Sequence, residues 1–208
     1  MARNADSIRL LLSQGPMPSR QVVEKTGISQ PTVSRALAAL GDEVVRIGSG
    51  PSIRYALRDS SRGFASTPIF RVGDDGLIRQ IGTLVPVRPD GFAMVQTDGV
   101  AIHSDGLPWW LFDMRPQGYL GRAYASRHAA GLGLPANPEL WGDAEVIRAQ
   151  LAHGHDAIGN LLIGERARDR FIGMPAPLPV DRATDYPALA RAAGAGELPG
   201  SSAGGEQP

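Results

Sequence analysis

One short stretch of the chain gathers side chains of the types that read DNA bases. Between Gly27 and Gly41, apolar residues recur three and four positions apart, which predicts a helix with one buried stripe. The polar residues around the start of this helix are Ser29, Gln30, Thr32, Ser34 and Arg35. A helix in the major groove presents its N-terminal residues to base edges, where these side chains donate or accept hydrogen bonds. The pattern therefore predicts a recognition helix.

Basic side chains flank the predicted helix on both sides. Arg20 precedes it, and Arg46 and Arg54 lie in two short apolar segments on either side of a Gly/Ser/Pro-rich tip at residues 48–52. Two such segments joined by a flexible tip are typical of a hairpin. Because guanidinium groups bind phosphates without regard to sequence, we expect these arginines to position the protein on double-stranded DNA.

Two earlier helices must hold the recognition helix in place. Apolar spacing predicts a first helix that stops before Gly15-Pro16, and a second that starts with Ser19 as its N-cap and ends at Gly27. Ser29 can cap the third helix. Three helices followed by a hairpin predict a winged helix-turn-helix DNA-binding domain over residues 1–60.

A solvated helical subdomain, or a winged helix that docks on protein, would show the same polar face. The distribution of charge along the chain helps to distinguish these alternatives from DNA binding. Residues 1–62 hold nine basic side chains (one Lys, eight Arg) and five acidic ones, a net charge of +4. Residues 63–208 hold the other twelve basic and sixteen acidic side chains, a net charge of −4. A basic head on an acidic body favours a polyanionic partner for the head.

The whole chain has 208 residues, zero formal net charge and 42% apolar residues, which is typical of a globular protein. Cysteine is absent, which excludes disulfides, thiolate zinc sites and cysteine nucleophiles. The N-terminus lacks a signal-peptide pattern, and no apolar run is long enough to span a bilayer. We therefore expect a cytoplasmic protein with no membrane partner.

The body of the chain mixes strand and helix patterns. Residues 60–63 are predicted to be a short linker, and strand–turn–strand patterns follow from Ile69 to Val95. Helical patterns then dominate, and the aromatic run Trp109–Phe112 is interpreted as core rather than as a ligand wall. The fold class predicted for the chain is α+β, with a second domain over residues 61–200.

Catalytic patterns are scarce in this body. His153-Gly154-His155 could be half of a metal site, but a histidine pair in a loop is more often solvated. No spacing supports a Ser-His-Asp arrangement. We expect no catalytic residue, no metal site and no cofactor in this chain.

The last eight residues, 201–208, contain small and polar side chains that suit a phosphate-binding loop. The candidate residues are Ser201, Ser202, Gly204, Gly205 and Gln207. Small residues let backbone N–H groups point inward around a phosphate, although the same composition fits a Gly/Ser-rich tail. The stretch is not a Walker A loop, because no Gly-Lys-Ser/Thr follows.

Three stretches together resemble one family. Ser202-Ala203-Gly204-Gly205-Glu206-Gln207-Pro208 resembles the glycine-rich loop of HipA-type serine/threonine kinases, the toxins of type II toxin–antitoxin systems. The segments Leu107–Gly118 and Asp156–Leu162 resemble the N-terminal subdomain of that family. The N-terminal winged helix is similar to that of YjjJ-type members.

The resemblance implies a kinase that uses ATP and Mg²⁺, with a phosphate-binding lysine after the Gln-Pro and a catalytic lobe beyond it. This sequence stops at Pro208, inside the loop, so the resemblance implies an incomplete and inactive kinase. Ser202, with Ser201 beside it, corresponds to the serine that such kinases autophosphorylate.

Three functions remain open at this point. The first is a DNA-binding module joined to a truncated kinase subdomain that regulates transcription, including that of its own operon. The second is a fragment of a full kinase whose sequence continues. The third is an antitoxin-like protein that docks on a separate HipA-like kinase lobe and restrains it. A kinase lobe, an antitoxin or a second copy of the chain would then be partners besides DNA.

Overall fold

The computed structural model describes residues 2–175 and 179–195. Its helices are α1 (Ala2–Leu12), α2 (Ser19–Thr26), α3 (Gln30–Leu40), α4 (Gly118–Leu132), α5 (Asp143–His153), α6 (Glu165–Ile172) and α7 (Tyr186–Gly194). Its strands are β1 (Val44–Ile47), β2 (Arg54–Leu57), β3 (Thr67–Val72), β4 (Ile78–Val87), β5 (Gly91–Gln96), β6 (Ala101–Ser104) and β7 (Leu161–Ile163). The fold is mixed α+β with antiparallel sheets, as the sequence predicts.

The three N-terminal helices and the hairpin lie where the sequence predicts them, but the caps differ. Pro18 occupies the N-cap of α2, and Ser19 is its first helical residue. Ser29 does occupy the N-cap of α3, although its side chain makes no capping hydrogen bond. The sequence did not predict β6 or α6.

The chain divides into two compact units. The first comprises Met1–Ile69 with Arg79–Trp109, and the second comprises Phe70–Ile78 with Trp110–Pro208. Strands β3 and β4 each contribute residues to both units. The domain boundaries predicted at residues 60 and 200 stay predictions.

The helices of the first unit pack around a continuous apolar core. Fully buried residues from each helix meet there, among them Ile8, Val22 and Val33. Burial of each such side chain stabilises the fold by about 1.5–3 kcal/mol relative to exposure, before the loss of conformational entropy. This core fixes the orientation of α3, because four of its eleven residues are buried on one side.

A second apolar cluster of the first unit lies between the hairpin and the sheet. Within this unit the strand order is β6-β5-β4, and β1 pairs with β2 in an antiparallel hairpin. Val45, Ile47 and Ala56 of the hairpin pack against buried residues of the sheet, including Val85 and Ala93. The hairpin is therefore covered by the helical core on one face and by the sheet on the other.

Within the stretch predicted as a linker, Ser60, Ser61 and Gly63 are exposed, but the Arg62 side chain packs against the sheet. The Asp59 backbone N–H donates to Pro86 O at 2.9 Å, and the Asp59 carboxylate accepts from Arg62 Nε at 3.0 Å. Arg88 Nη2 lies 3.2 Å from the same carboxylate. The Arg62 guanidinium also stands over the Phe92 ring at 5.0 Å. These contacts fasten the end of the hairpin to β4 and β5.

The second unit builds its core from helices and the ends of β3 and β7. Trp141 is buried, and its indole N–H donates to Pro135 O at 2.8 Å. Phe70 packs with Leu162 and Ala167. Gln150 is buried on α5, where its amide donates to Met114 O.

The interpretation of Trp109–Phe112 as core is wrong for half of the run. Leu111 is buried, but Trp109 is 78% exposed and Phe112 is 52% exposed. These residues form a 3-10 helix, Trp109–Met114, whose tight turn directs only some side chains inward.

None of the helices in the described ranges combines the length and apolar character needed to cross a bilayer.

Candidate nucleic-acid interface

A short turn centred on Gly27 joins α2 to α3. Gly27 has φ +68°, in the left-handed region that favours glycine, and its N–H donates to Val23 O at 2.9 Å. Thr26 Oγ1 donates to Val22 O at 2.6 Å and accepts from the Ile28 N–H at 3.2 Å. The chain therefore leaves α2 by a hydrogen-bonded turn of defined geometry.

The buried stripe of α3 determines which of its side chains face outward. Val33, Ala36, Leu37 and Leu40 are buried, as the sequence predicts. Gln30, Ser34 and Arg35 are exposed, and Thr32 is half-buried at the edge of the stripe. The predicted base-reading residues thus share the solvent side of one helix.

Hydrogen bonds link these polar side chains at the N-terminal end of α3. Ser29 Oγ lies 3.0 Å from Thr32 Oγ1, and Arg35 Nη2 donates to that same hydroxyl at 3.4 Å. Arg35 Nε also donates to Pro31 O at 3.3 Å. These bonds are exposed, so base edges or phosphates can replace them at little net cost.

Ser19 is a member of this group that the sequence did not single out as a base-side residue. Gln30 Nε2 donates to Ser19 Oγ at 3.2 Å, which connects the start of α3 to the start of α2. The two residues are eleven positions apart, so no local spacing rule indicates this contact.

The far half of the outward face of α3 carries no charge. Ala38 and Ala39 are exposed there, beyond Ser34 and Arg35. The polar readout group is therefore confined to the first half of the helix.

Arg20 lies at the start of α2 with its side chain 88% exposed. Its Nε is 3.6 Å from Glu24 Oε1, a solvent-exposed i,i+4 pair that contributes little to stability. A phosphate can compete with Glu24 for this guanidinium.

The two wing arginines lie on opposite faces of the hairpin. Arg46 stands opposite Tyr55 in the β1–β2 register, on the face that packs against the helical core. Arg54 stands opposite Ile47, on the face that packs against the sheet. Side chains of paired residues point to the same face, so both arginines are exposed but point in opposite directions.

The charge of Arg54 acts on His103 of β6. Burial lowers the pKa of His103, Asp105 at 3.5 Å opposes this shift, and the charge of Arg54 lowers the pKa further. His103 is therefore neutral at pH 7 and adds no positive charge to the wing.

The remaining predicted sites fall into two groups. Ser201, Ser202, Gly204, Gly205 and Gln207 lie outside the described residues. His153 and His155 are described, and nowhere in residues 2–175 and 179–195 do three potential ligands gather as a metal site would require. Instead, His153 lies beside Tyr124 and His128.

Two sequence families match parts of the chain. Residues 64–172 match the family described as YjjJ-like toxin, middle domain. Residues 8–43, which run from α1 to the end of the turn after α3, match the bacterial regulatory protein, arsR family, a helix-turn-helix family. The N-terminal region is thus a helix-turn-helix DNA-binding domain.

A full-length relative covers almost the whole chain. Toxin YjjJ of Escherichia coli (strain K12) is 41% identical over 202 residues, which is 95% of this chain and 45% of the relative. The chain therefore spans less than half the length of that relative. No solved structure gives a significant match.

Proposed function

Because the chain belongs to the YjjJ-like toxin family, we propose that its helix-turn-helix region binds double-stranded DNA and regulates transcription, including that of its own operon. The observation that carries this proposal is the outward face of α3, where Gln30, Ser34 and Arg35 are exposed while the opposite face is buried. A helix so oriented can enter the major groove without disturbing the core.

Each predicted residue has a role in this proposal. Gln30, Thr32, Ser34 and Arg35 contact base edges, and Ser29 orients Thr32 through the 3.0 Å contact between their hydroxyls. Arg20, Arg46 and Arg54 contribute phosphate contacts that position the helix. Because Arg46 and Arg54 point to opposite faces, they cannot grip the same phosphate.

A titration with DNA tests this function directly. The probe is a fluorescent duplex from the region upstream of the chain's own gene, titrated at several salt concentrations against a shuffled duplex of equal composition. We expect tighter binding to the upstream duplex, with the logarithm of affinity falling linearly with that of salt. Binding that is absent, or that does not respond to salt, would contradict the proposal.

The HipA-like kinase character of the longer family members is the second part of the proposal. In a longer chain, residues 201–208 would form the phosphate-binding loop, with Ser202 as its phosphorylation site, and ATP with Mg²⁺ would supply the phosphoryl group. For the 208-residue chain we propose no catalysis, and DNA binding requires neither ATP nor Mg²⁺. Incubation with labelled ATP and Mg²⁺ tests this, and transfer of label by the chain alone would contradict it.

A second candidate function is docking on a HipA-like kinase lobe, and the exposed apolar residues of the second unit favour it. Phe171, Ile172 and Met174 are exposed at the end of α6. Tyr186 and Leu189 are exposed on α7, a helix with no buried residue. Exposed apolar side chains on these two helices are the features that favour an interaction surface here. The relative at 41% identity extends well beyond the matched 45% of its length, so its unmatched part is the occupant we propose.

Pull-down with the unmatched part of Toxin YjjJ tests the docking function. We expect the chain to retain that part, and Ile172→Glu with Leu189→Glu to abolish retention. Leu10→Glu is the matched control, because Leu10 is 68% exposed but belongs to the first unit. Equal retention of parent and double variant would exclude this surface.

A further inference from the structure

Three aromatic side chains of the second unit meet between α4 and α5. The Tyr124 hydroxyl lies 2.8 Å from His153 Nδ1. The His128 and His153 rings are 4.3 Å apart between centroids, and the Tyr124 ring is 4.9 Å from that of His128. Tyr124 and His128 belong to α4, whereas His153 is the last residue of α5. The cluster therefore joins two helices that are separated by ten residues of chain, 133–142.

In the form of this hydrogen bond in which Tyr124 is the donor, His153 is neutral and is the acceptor. Burial raises the pKa of Tyr124 to about 12, so its hydroxyl keeps its proton at any physiological pH. That hydroxyl donates to Nδ1, and the imidazole then carries its own proton on Nε2.

The charged groups around the two rings are mostly cationic. Arg127 of α4 acts on His128. Arg166 and Arg170 of α6, with His155, act on His153. Asp156 is a carboxylate that acts on His155. Arg170 is held in place because its Nη1 donates to Ala152 O at 2.6 Å.

We propose that Tyr124, His128 and His153 form an acid-sensitive latch, in which two neutral imidazoles in contact hold α4 to the end of α5 and protonation of either ring releases them. The neighbouring arginines repel an imidazolium ion at either ring, and two imidazolium ions at this separation also repel each other.

Hydrogen bonding alone does not prevent protonation of the cluster. Tyr124 Oη is 3.4 Å from Ala149 O, so the hydroxyl can donate to that carbonyl and accept a hydrogen bond from Nδ1–H of a protonated His153. The electrostatic surroundings, and not a lost hydrogen bond, therefore make the latch sensitive to acid.

The direction of the pKa shifts supports the latch. Burial lowers the pKa of His153 from 6.5 to about 4, with His128, Arg170, His155 and Arg166 adding to the shift. The pKa of His128 is lowered by burial and by Arg127. The unfolded chain thus binds more protons than the folded one between pH 6.5 and 4, so stability falls as the pH falls through this range.

Two measurements on the whole chain test the latch. NMR titration of the imidazole Cε1 protons should show His153 titrating well below 6.5. Hydrogen exchange of α4 and α5, corrected for the intrinsic pH dependence, should show protection that falls about tenfold or more between pH 7 and pH 5.

Matched variants separate the latch from general acid sensitivity. His128→Phe keeps an aromatic ring in the cluster, and His153→Gln keeps a hydrogen-bond acceptor for Tyr124. Because neither new side chain titrates, the double variant should lose the pH dependence of protection. His103→Gln in the first unit should retain it. A titration of His153 near 6.5, or unchanged pH dependence in the double variant, would overturn the proposal. If the double variant does not fold, the titration of the parent chain decides alone.

Discussion

The two compact units each contain a cluster of titratable side chains. One cluster holds a buried charge in ion pairs, and the other keeps its titratable groups neutral. In the first unit, the buried carboxylate of Asp59 is paired with Arg62 and Arg88. In the second unit, His128 and His153 are held neutral among arginines. The first cluster is stable because its buried carboxylate is paired with arginines. The second is stable because its two imidazoles are uncharged.

The pKa directions express this difference. Burial raises the pKa of Asp59, but hydrogen bonds from Ser61 and Arg62 and the charge of Arg88 outweigh burial and hold the pKa below its ordinary value. Asp59 thus stabilises the fold above pH 3.8 and loses this effect only in stronger acid. The histidine cluster loses its contribution earlier, from pH 6.5 downward. The Asp59 cluster is therefore the more acid-tolerant of the two clusters.

The largest expected effect is a loss of stability when the Asp59 cluster of the first unit is disrupted. Asp59→Asn leaves two arginines without their buried anion, which should lower the free energy of unfolding by about 3 kcal/mol or more. Chemical denaturation followed by circular dichroism measures the loss. Asp90→Asn is the control, because Asp90 is exposed in the same unit and should change stability by no more than about 0.5 kcal/mol. A parent-like stability of Asp59→Asn would show that the ion pairs are not stabilising.

The next largest effect is on DNA affinity, and it tests whether the first unit alone recognises DNA. Arg35→Ala should weaken binding to the preferred duplex by about 1–3 kcal/mol, provided that Arg35 contacts a guanine. Arg122→Ala, an exposed arginine of α4 in the second unit, should leave affinity unchanged. Fluorescence anisotropy compares the two variants, and equal losses would refute the assignment of Arg35.

A third prediction concerns the order in which the two clusters lose their stabilising effect as the pH is lowered. Hydrogen exchange should show α4 and α5 losing protection between pH 6.5 and pH 4, while the contribution of Asp59 to the protection of β4 and β5 is lost only below about pH 3.8. Simultaneous loss in both units would mean that the clusters do not set the order.

The smallest effect concerns the wing. Arg46 lies on the face shared with the helical core, so Arg46→Gln should reduce the slope of log affinity against log salt by about 1. Arg54 lies on the sheet side, and Arg54→Gln should reduce the slope less. A larger reduction with Arg54→Gln would reverse the proposed orientation of the wing on DNA.

Much of the DNA-binding site could be predicted from local sequence. The spacing of Val33, Leu37 and Leu40 predicts the buried side of α3, and hence that Ser34 and Arg35 face outward. Gly27 and Gly41 predict the ends of α2 and α3, and both glycines have positive φ in the structure. These features depend on residues within four positions of one another, so backbone periodicity is enough to reveal them.

The role of residues 60–63 and of the aromatic run could not be predicted in the same way. A Ser-Ser-Arg-Gly stretch has the composition of a linker, and only the approach of Val87 and Phe92 gives Arg62 its distant partners. Trp109 and Phe112 have the composition of core, yet a 3-10 turn leaves them exposed. In both cases the neighbours that decide burial lie far away in sequence.

The sequence by itself determined the three helices, the hairpin and the polar start of the recognition helix, because each follows from helix or strand periodicity and from glycine positions. Only the tertiary structure decided that Arg46 and Arg54 point apart, since one residue of strand register sets the face of each side chain. It also decided that Tyr124 meets His153, since that contact depends on the packing of two helices and has no local pattern.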